Sequence, residues 1–317
     1  MDDLLTAGSM RMCPSGAHLT STDTDFGELF YLSSATGSGP GTAIRGGVPV
    51  IAPAFADLIA SAPRHGWART AAWKVTTDGR DFHAEVDNDG IRLRLDVREL
   101  ADGVRLELTA RNESREDRKI QLAFHPYFRV SHVASVAVAG LDGAPVLDRA
   151  TGAQTTQSGD VAVSGEFDRI FRESREVRII DADRVVTVAA EGADSTVVWN
   201  PGEKAAADMG DAVERMSVRP GKTPQIRDVG HEGGLGADIG GNVTVSHRGL
   251  RWWRVWFLSR QGAEPACEVT RNSPCILISA GIGSAPARRL RAFGSSSIRI
   301  LRKANLVETD ADPKDLA

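Results

Sequence analysis

Two neighbouring segments of alternating residues constrain the fold of this chain more than any other feature. In Gly90–Val97 (GIRLRLDV) and Val104–Arg111 (VRLELTAR), apolar and polar residues alternate with a period of two. Successive side chains of a β-strand point to opposite faces, so this period is typical of strands with one buried face. The intervening Arg98–Gly103 ends in an Asp-Gly pair, which favours a tight turn. The two segments therefore predict a long antiparallel hairpin.

Further short segments with strand character follow the hairpin. They are Ile120–Phe124, Val133–Ala139, Val177–Ile180, Val185–Ala190 and Thr196–Trp199. Turns rich in Gly, Asp and Asn separate them, as at Gly140–Gly143 and Gly192–Ser195. Helical periodicity is scarce, and the one candidate helix is Glu203–Met216. Many strands with few helices predict an all-β fold, a large antiparallel β-sandwich.

The character of the chain changes after Met216. Residues 217–317 carry 15 Lys and Arg against 9 Asp and Glu, and their strong apolar stretches are confined to 252–258 and 275–282. We therefore predict a sandwich domain over residues 1–216 and an atypical basic tail, rich in Gly, Ser and Arg, over residues 217–317. Three interpretations of the tail stay open: a partly disordered extension, an end replaced through a reading-frame change, and a small basic binding module.

Charge, cysteine usage and the N-terminus exclude several classes of protein. A formal net charge of −4 gives no bulk attraction to nucleic acid or to an anionic membrane. MDDLLTAG lacks the basic and apolar regions of a secretory signal, and no apolar run approaches the ~18 residues that span a bilayer. Cys13, Cys267 and Cys275 are odd in number and show no CxxC spacing, which argues against a disulfide framework. We expect a cytoplasmic monomer that binds neither nucleic acid nor membrane.

Five polar or glycine-rich segments stand out between the strands. They are Ala43–Pro53 (AIRGGVPVIAP), Pro63–Thr70 (PRHGWART), Phe124–Phe128 (FHPYF), Gly165–Phe171 (GEFDRIF) and Ser195–Gly202 (STVVWNPG). Two glycines after Arg45 permit a tight turn or the close approach of a ligand. Arg64 and Arg69 flank His65, and guanidinium groups bind phosphate or carboxylate through paired hydrogen bonds. A plain turn and a solvated surface loop are the alternative interpretations of these two segments.

The other three segments offer proton-transfer and hydrogen-bonding groups. His125 ends an apolar strand among aromatic residues, where it can titrate in a partly dry environment. Asp168 can accept hydrogen bonds from sugar hydroxyls, and Trp199 can close a pocket. Each also has a structural alternative: a satisfied core histidine, a salt bridge of Asp168 with Arg169 or another base, and a core tryptophan.

Taken in order, these segments resemble the aldose 1-epimerase superfamily, and within it the glucose-6-phosphate 1-epimerase (hexose-6-phosphate mutarotase) branch. The matching motifs are SGAHLTS, ELFYLS, AIRGGVPV, PRHGWAR, FHPYF, EFDRIF and VVWNPG, over about residues 15 to 216. The resemblance implies a galactose mutarotase-like β-sandwich that interconverts the α and β anomers of a hexose 6-phosphate without a cofactor or metal. It also implies a sugar phosphate as the small-molecule partner.

The resemblance also implies a role for each site residue. His125 is the general acid, and His65 assists by holding the substrate. Asp168 binds ring hydroxyls, Arg45 and Arg69 clamp the 6-phosphate, and Trp199 belongs to the sugar pocket.

One segment departs from the family pattern. In the family the general base is a glutamate on a strand after the WNPG segment, in a context like C-V-E-P-G. Here Ser217–Gly221 reads SVRPG, so Arg219 stands where the carboxylate is expected, and Glu214 and Glu232 are the closest other carboxylates. A guanidinium cannot accept a proton at neutral pH. Three hypotheses therefore stay open: an active mutarotase, a catalytically silent sugar-phosphate-binding protein, and an unrelated carbohydrate-binding sandwich.

Overall fold

Strands account for most of the regular structure in the computed structural model of this chain. The model describes residues 4–37, 39, 41–56, 59, 62–182, 184–202, 215–221, 225–226, 239–240, 243–245 and 249–261. Two short 3-10 helices also occur in this part, at Ala68–Thr70 and Val133–Ser135.

The described strands are numbered in chain order. The first twelve are β1 (Leu5–Ala7), β2 (Met10–Cys13), β3 (His18–Thr24), β4 (Gly27–Glu28), β5 (Val50–Ile51), β6 (Lys74–Thr77), β7 (Phe82–Asn88), β8 (Ile91–Leu100), β9 (Gly103–Asn112), β10 (Arg118–Ile120), β11 (Ala123–Phe124) and β12 (Tyr127–Arg129). The others are β13 (Ala137–Ala139), β14 (Pro145–Asp148), β15 (Gln154–Thr156), β16 (Val161–Ala162), β17 (Glu166–Phe171), β18 (Val177–Ile180), β19 (Arg184–Glu191), β20 (Ser195–Pro201), β21 (Arg215–Gly221), β22 (Gln225–Ile226), β23 (Ile239–Gly240), β24 (Val243–Val245) and β25 (Leu250–Gln261).

Two large antiparallel sheets dominate the described part of the chain. The nine-stranded sheet has the order β16-β13-β18-β19-β25-β9-β8-β7-β6. The eight-stranded sheet has the order β15-β14-β17-β20-β21-β11-β5, with β12 also paired to β21. A four-stranded sheet of β1 to β4 and the pairs β10-β24 and β22-β23 complete the described pairing.

The predicted hairpin is confirmed. β8 and β9 pair over ten residues, from Ile91 opposite Asn112 to Leu100 opposite Gly103. Their apolar side chains are buried and include Leu93, Leu95, Leu106 and Leu108. Each fully buried leucine contributes about 1.5–3 kcal/mol from apolar surface removed from water, so the alternation fixes which face of the hairpin turns inward.

The two large sheets pack face to face, and three phenylalanines mark the contact. Phe128 of β12 and Phe257 of β25 come from opposite sheets, and their ring centroids are 5.4 Å apart. Phe30 lies 5.9 Å from the first ring and 5.7 Å from the second. All three side chains belong to one continuous core of buried apolar residues. The prediction of a large antiparallel β-sandwich is therefore confirmed.

The domain boundary predicted at residue 216 needs correction. That position lies inside β21, which pairs with β20 in the eight-stranded sheet. β25 lies further along the chain and occupies the middle of the nine-stranded sheet, between β19 and β9. Val255 and Phe257 are buried while Arg254 and Arg260 are not, so β25 itself alternates, a pattern that the basic composition of the segment obscured. Residues 262–317 lie outside the described residues, and a separate tail stays a prediction for them.

Two local predictions also change. Most of the predicted helix Glu203–Met216 lies outside the described residues, but its last two residues begin β21. The strand predicted over Val133–Ala139 is a 3-10 turn, Val133–Ser135, followed by β13. His132 caps that turn by accepting a hydrogen bond from the Ala134 amide at 3.2 Å, which favours the turn over an extended strand start. A helix with the length and apolarity to cross a bilayer does not occur among the described residues.

Candidate active site

The FHPYF segment alternates across the eight-stranded sheet and thereby places the candidate site. Phe124 and Phe128 point into the core between the two sheets. His125 and Tyr127 line a cavity on the opposite face of the same sheet. The aromatic residues around the histidine therefore divide into two core anchors and one wall residue of the cavity.

This cavity has a volume of about 360 Å³, which lies within the range of small-molecule sites. All six predicted site residues line it, although they come from five separate segments: Arg45, His65, Arg69, His125, Asp168 and Trp199. The structure places these residues around one cavity, while the role of each residue stays a prediction. The wall also includes Arg64, which the sequence offered only as an anion-binding neighbour of His65, and Tyr127 and Arg149, which sequence reasoning did not assign to the site.

Aromatic rings surround His125, which is 5% exposed. The Tyr127 ring stacks on the imidazole with centroids 4.6 Å apart and an interplanar angle of 16°. The rings of Trp199 and His65 stand at steep angles to it, with centroids at 6.0 and 6.2 Å. The His125 amide donates to the Pro49 carbonyl at 3.0 Å, so both its backbone and its ring are held. A partly dry, fixed imidazole suits proton transfer.

His65 is held in an unusual backbone conformation, with φ at +63°. Its amide donates to the Ala56 carbonyl at 2.9 Å, and the Ala56 amide donates to the His65 Nδ1 at 3.1 Å. Because Nδ1 accepts a hydrogen bond, the neutral imidazole carries its proton on Nε2. Gly66 follows with φ at +70°, where a Cβ would come within 1.9 Å of the Ala52 carbonyl oxygen. Only glycine fits there, and the tight turn fixes the position of the His65 ring.

Among the described residues, only one of the two carboxylate oxygens of Asp168 has a hydrogen-bond partner. Its Oδ2 accepts from the Arg149 Nη1 at 3.2 Å, and its backbone carbonyl accepts from the Arg149 amide at 2.8 Å. Its Oδ1 is buried without a hydrogen-bond partner among the described residues. The structural alternative for Asp168, a salt bridge, is present with Arg149 as the base, while Arg169 binds Asp148 at 2.9 Å. An open, buried carboxylate oxygen can accept a hydrogen bond from a ligand hydroxyl.

Arg69 is a partly buried cation of the cavity wall, in the 3-10 turn Ala68–Thr70. Its Nη2 donates to the Arg64 carbonyl at 3.0 Å, while its Nε is buried without a partner among the described residues. Burial lowers the pKa of Arg69, the Tyr127 side chain raises it, and the charge of Arg64 lowers it further. Within the described part of the chain Arg69 forms no ion pair with a carboxylate, so a bound anion would offset the cost of its burial.

Arg45 reaches the cavity from a loop that rests on His18. The His18 Nε2 donates to the Gly46 carbonyl at 2.7 Å, and the ring is fully buried. Burial lowers the pKa of His18 to about 4, with the Gly46 hydrogen bond opposing that shift and the Arg69 charge adding to it. Gly47 has φ at +56°, and a Cβ there would come within 2.4 Å of the Leu19 carbonyl oxygen. The loop is thus packed tightly on an uncharged histidine.

The pairing of β21 with β20 shows where the backbone of Arg219 lies. In β21, Arg219 is opposite Val197 and Ser217 is opposite Trp199. Val197 belongs to a small apolar cluster with Ile51, a residue of the cavity wall. The strand that the resemblance assigns to the general base therefore neighbours the strand that carries Trp199.

Comparison with known proteins agrees with this architecture. A family model described as aldose 1-epimerase matches residues 6–223. A protein of Cenchrus ciliaris named "putative glucose-6-phosphate 1-epimerase" is 30% identical over 250 residues, which are 67% of this chain and 75% of that protein. A protein of Escherichia coli (strain K12) with the same name is 29% identical over 220 residues, or 62% of this chain and 72% of that protein.

Solved structures show the same fold. A protein from Salmonella typhimurium described as a "putative mutarotase (YeaD)" superposes with a TM-score of 0.67 at 21% identity, covering 83% of this chain and 92% of that one. A galactose mutarotase-like protein from Lactobacillus casei superposes with a TM-score of 0.63 at 15% identity, covering 81% of this chain and 100% of that one. With the family match over most of its length, the chain belongs to the aldose 1-epimerase family, enzymes that interconvert the anomers of sugars.

Proposed function

We propose that this protein interconverts the α and β anomers of a hexose 6-phosphate by acid–base ring opening and closure. The observation that carries the proposal is one cavity that holds His125 packed among aromatic rings, Asp168 and a partly buried Arg69. Among the described residues, Asp168 Oδ1 has no hydrogen-bond partner and Arg69 has no carboxylate partner. His125 can protonate a ring oxygen, Asp168 can accept a hydrogen bond from a sugar hydroxyl, and Arg69 can bind a phosphate. The names of the curated relatives point to the same substrate class.

Each residue has a defined part in the proposed reaction. His125 donates a proton to the ring oxygen while a base takes the proton of the C1 hydroxyl, and the C1–O5 bond breaks to give an open-chain aldehyde. Rotation about the C1–C2 bond exposes the other face of the aldehyde, and the steps reverse. Asp168 holds a ring hydroxyl, His65 donates a hydrogen bond to the sugar through Nε2, and Arg45 and Arg69 hold the phosphate. Trp199 offers an apolar face to the ring.

A second function, binding without catalysis, is favoured by one observation. The register places Arg219, and not a carboxylate, on the strand beside Trp199. A guanidinium cannot take the C1 proton. A protein with an intact phosphate and sugar site but no base would bind a hexose 6-phosphate. The rate of anomer exchange would then stay at its value in buffer.

Anomer-exchange NMR on glucose 6-phosphate separates the two functions. An active mutarotase raises the α-to-β exchange rate in proportion to protein concentration, and His125→Gln removes the increase. Unchanged exchange at high protein concentration would exclude the enzyme. If glucose 6-phosphate still raises the melting temperature in that case, the binding function holds. Gain of exchange in Arg219→Glu would then identify the missing base.

A further inference from the structure

Tyr127 contacts two aromatic side chains of the cavity wall, His125 and Trp199. Its ring covers one face of the His125 imidazole, with centroids 4.6 Å apart and planes within 16° of parallel. The Trp199 ring meets it edge-on, with centroids 6.2 Å apart at 84°. Among the ring contacts of His125, the Tyr127 contact is the closest, because Trp199 and His65 lie at 6.0 and 6.2 Å. Tyr127 therefore fixes the plane of the imidazole more directly than either neighbour.

The backbone of Tyr127 is tied to the loop that carries Arg45. Its amide donates to the Gly47 carbonyl at 2.8 Å, and its carbonyl accepts from the Tyr31 amide at 2.8 Å. The Gly47 amide in turn donates to the Tyr31 carbonyl at 2.7 Å. This closed set of bonds holds the stacked ring and the Arg45 loop in one geometry.

We infer that Tyr127 is a positioning residue whose ring orients the His125 imidazole for proton transfer. The inference rests on the proposed function for its meaning, but the ring contact can be measured without catalysis. Leucine at this position removes the ring, whereas phenylalanine keeps the ring and removes only the hydroxyl. Tyr127→Phe is therefore the matched control for Tyr127→Leu.

The inference is tested by NMR of the histidine side chains. A stacked tyrosine shifts the His125 ring proton signals upfield, and His125→Gln identifies those signals by their loss. We expect the upfield shift to persist in Tyr127→Phe and to vanish in Tyr127→Leu. If the protein is active, kcat falls about 2- to 10-fold in Tyr127→Leu, as expected for loss of one aromatic pair, and stays near wild type in Tyr127→Phe. Unchanged His125 shifts in a folded Tyr127→Leu would overturn the inference.

Failure of the proposed function is measured separately. If neither inorganic phosphate nor glucose 6-phosphate binds the wild-type protein, the proposed function is rejected, and the NMR result on the His125 ring still stands.

Discussion

Arginine is used in opposite ways on the two large sheets. On the outer face of the nine-stranded sheet, Arg254 of β25 lies directly opposite Glu107 of β9 and binds it at 2.6 Å. That hydrogen bond raises the pKa of Arg254, and a bond to Asp96 does the same for Arg94. On the outer face of the eight-stranded sheet, burial lowers the pKa of Arg69, which has no carboxylate partner in the described part of the chain.

The difference distinguishes an arginine that serves the fold from one that awaits a ligand. Cross-strand pairs neutralise each other within the sheet, so they contribute modestly to stability and attract nothing. Among the described residues, the cavity wall instead collects Arg45, Arg64, Arg69 and Arg149 around one carboxylate, Asp168. Such a cluster costs free energy, because like charges repel each other and the partly buried Arg69 has no carboxylate partner in this part of the chain. It is useful where an anion binds.

The largest expected effect concerns two histidines, one in the cavity wall and one on the nine-stranded sheet. We expect His125→Gln to reduce kcat/KM for anomer exchange about 10²- to 10⁴-fold, the usual contribution of a positioned general acid. His83→Gln is the control on the outer face of the other sheet, where His83 binds Asp96 at 2.6 Å. It should leave exchange unchanged. Equal rates of anomer exchange in the two variants would show that His125 takes no part in the proton transfer.

A second test uses pH and the buried His18. Its pKa is lowered from 6.5 to about 4 in the folded chain, so the unfolded chain binds more protons between these values. Stability from this group is therefore complete above pH 6.5 and is lost as pH falls toward 4, by about 3 kcal/mol in total. Denaturant unfolding at several pH values measures this slope.

The matched variants for this slope are His18→Gln and His132→Gln. The first should flatten the dependence of the unfolding free energy between pH 6.5 and 4, whereas His132→Gln should change it much less, because His132 is exposed and its ring only caps a 3-10 turn. A slope that survives in a folded His18→Gln protein would assign the acid sensitivity to other groups.

The third test concerns ligand affinity. Arg69→Met removes the guanidinium and keeps the apolar stem, and we expect Kd for glucose 6-phosphate to rise about 10- to 100-fold. Binding of glucose should not change. Calorimetry with both sugars measures the difference. Equal losses for the two sugars would exclude Arg69 from a phosphate-specific role.

The smallest expected effect is a change in the free energy of unfolding, and its sign should differ between a paired arginine and Arg69. Arg254→Met breaks a paired cross-strand contact and should lower the free energy of unfolding by about 0.5–1 kcal/mol without changing ligand affinity. Arg69→Met should leave that free energy unchanged or raise it, because an uncompensated buried charge is removed. Thermal denaturation of the two ligand-free variants checks this. A larger loss of stability in Arg69→Met would mean that Arg69 also serves the fold.

The sequence predicted what depends on short-range patterns. The alternation at residues 91–112 fixed the β8–β9 hairpin because the period and the Asp-Gly turn are local. The order of the motifs resembles that of a known family, and this resemblance pointed to six residues of the cavity wall. The ion-pair partner of Asp168 was not found, although a local signal existed: adjacent strand residues point to opposite faces, so Arg169 could not reach it. Arg149 and His18 are joined to the site by turns and by contacts between distant segments, and a one-dimensional pattern does not show these.

β25 also determines the order in which this chain can fold during synthesis. Its partners β9 and β19 are complete before it is made, and Arg254 must meet Glu107 across 147 residues of sequence. Until Gln261 leaves the ribosome, the hairpin strands and the β18–β19 pair each present an open edge, the kind of surface that joins other chains. Contacts of such long separation form slowly. Translation that pauses or stops before Leu250 therefore leaves a chain that has most of its sandwich and is prone to aggregate.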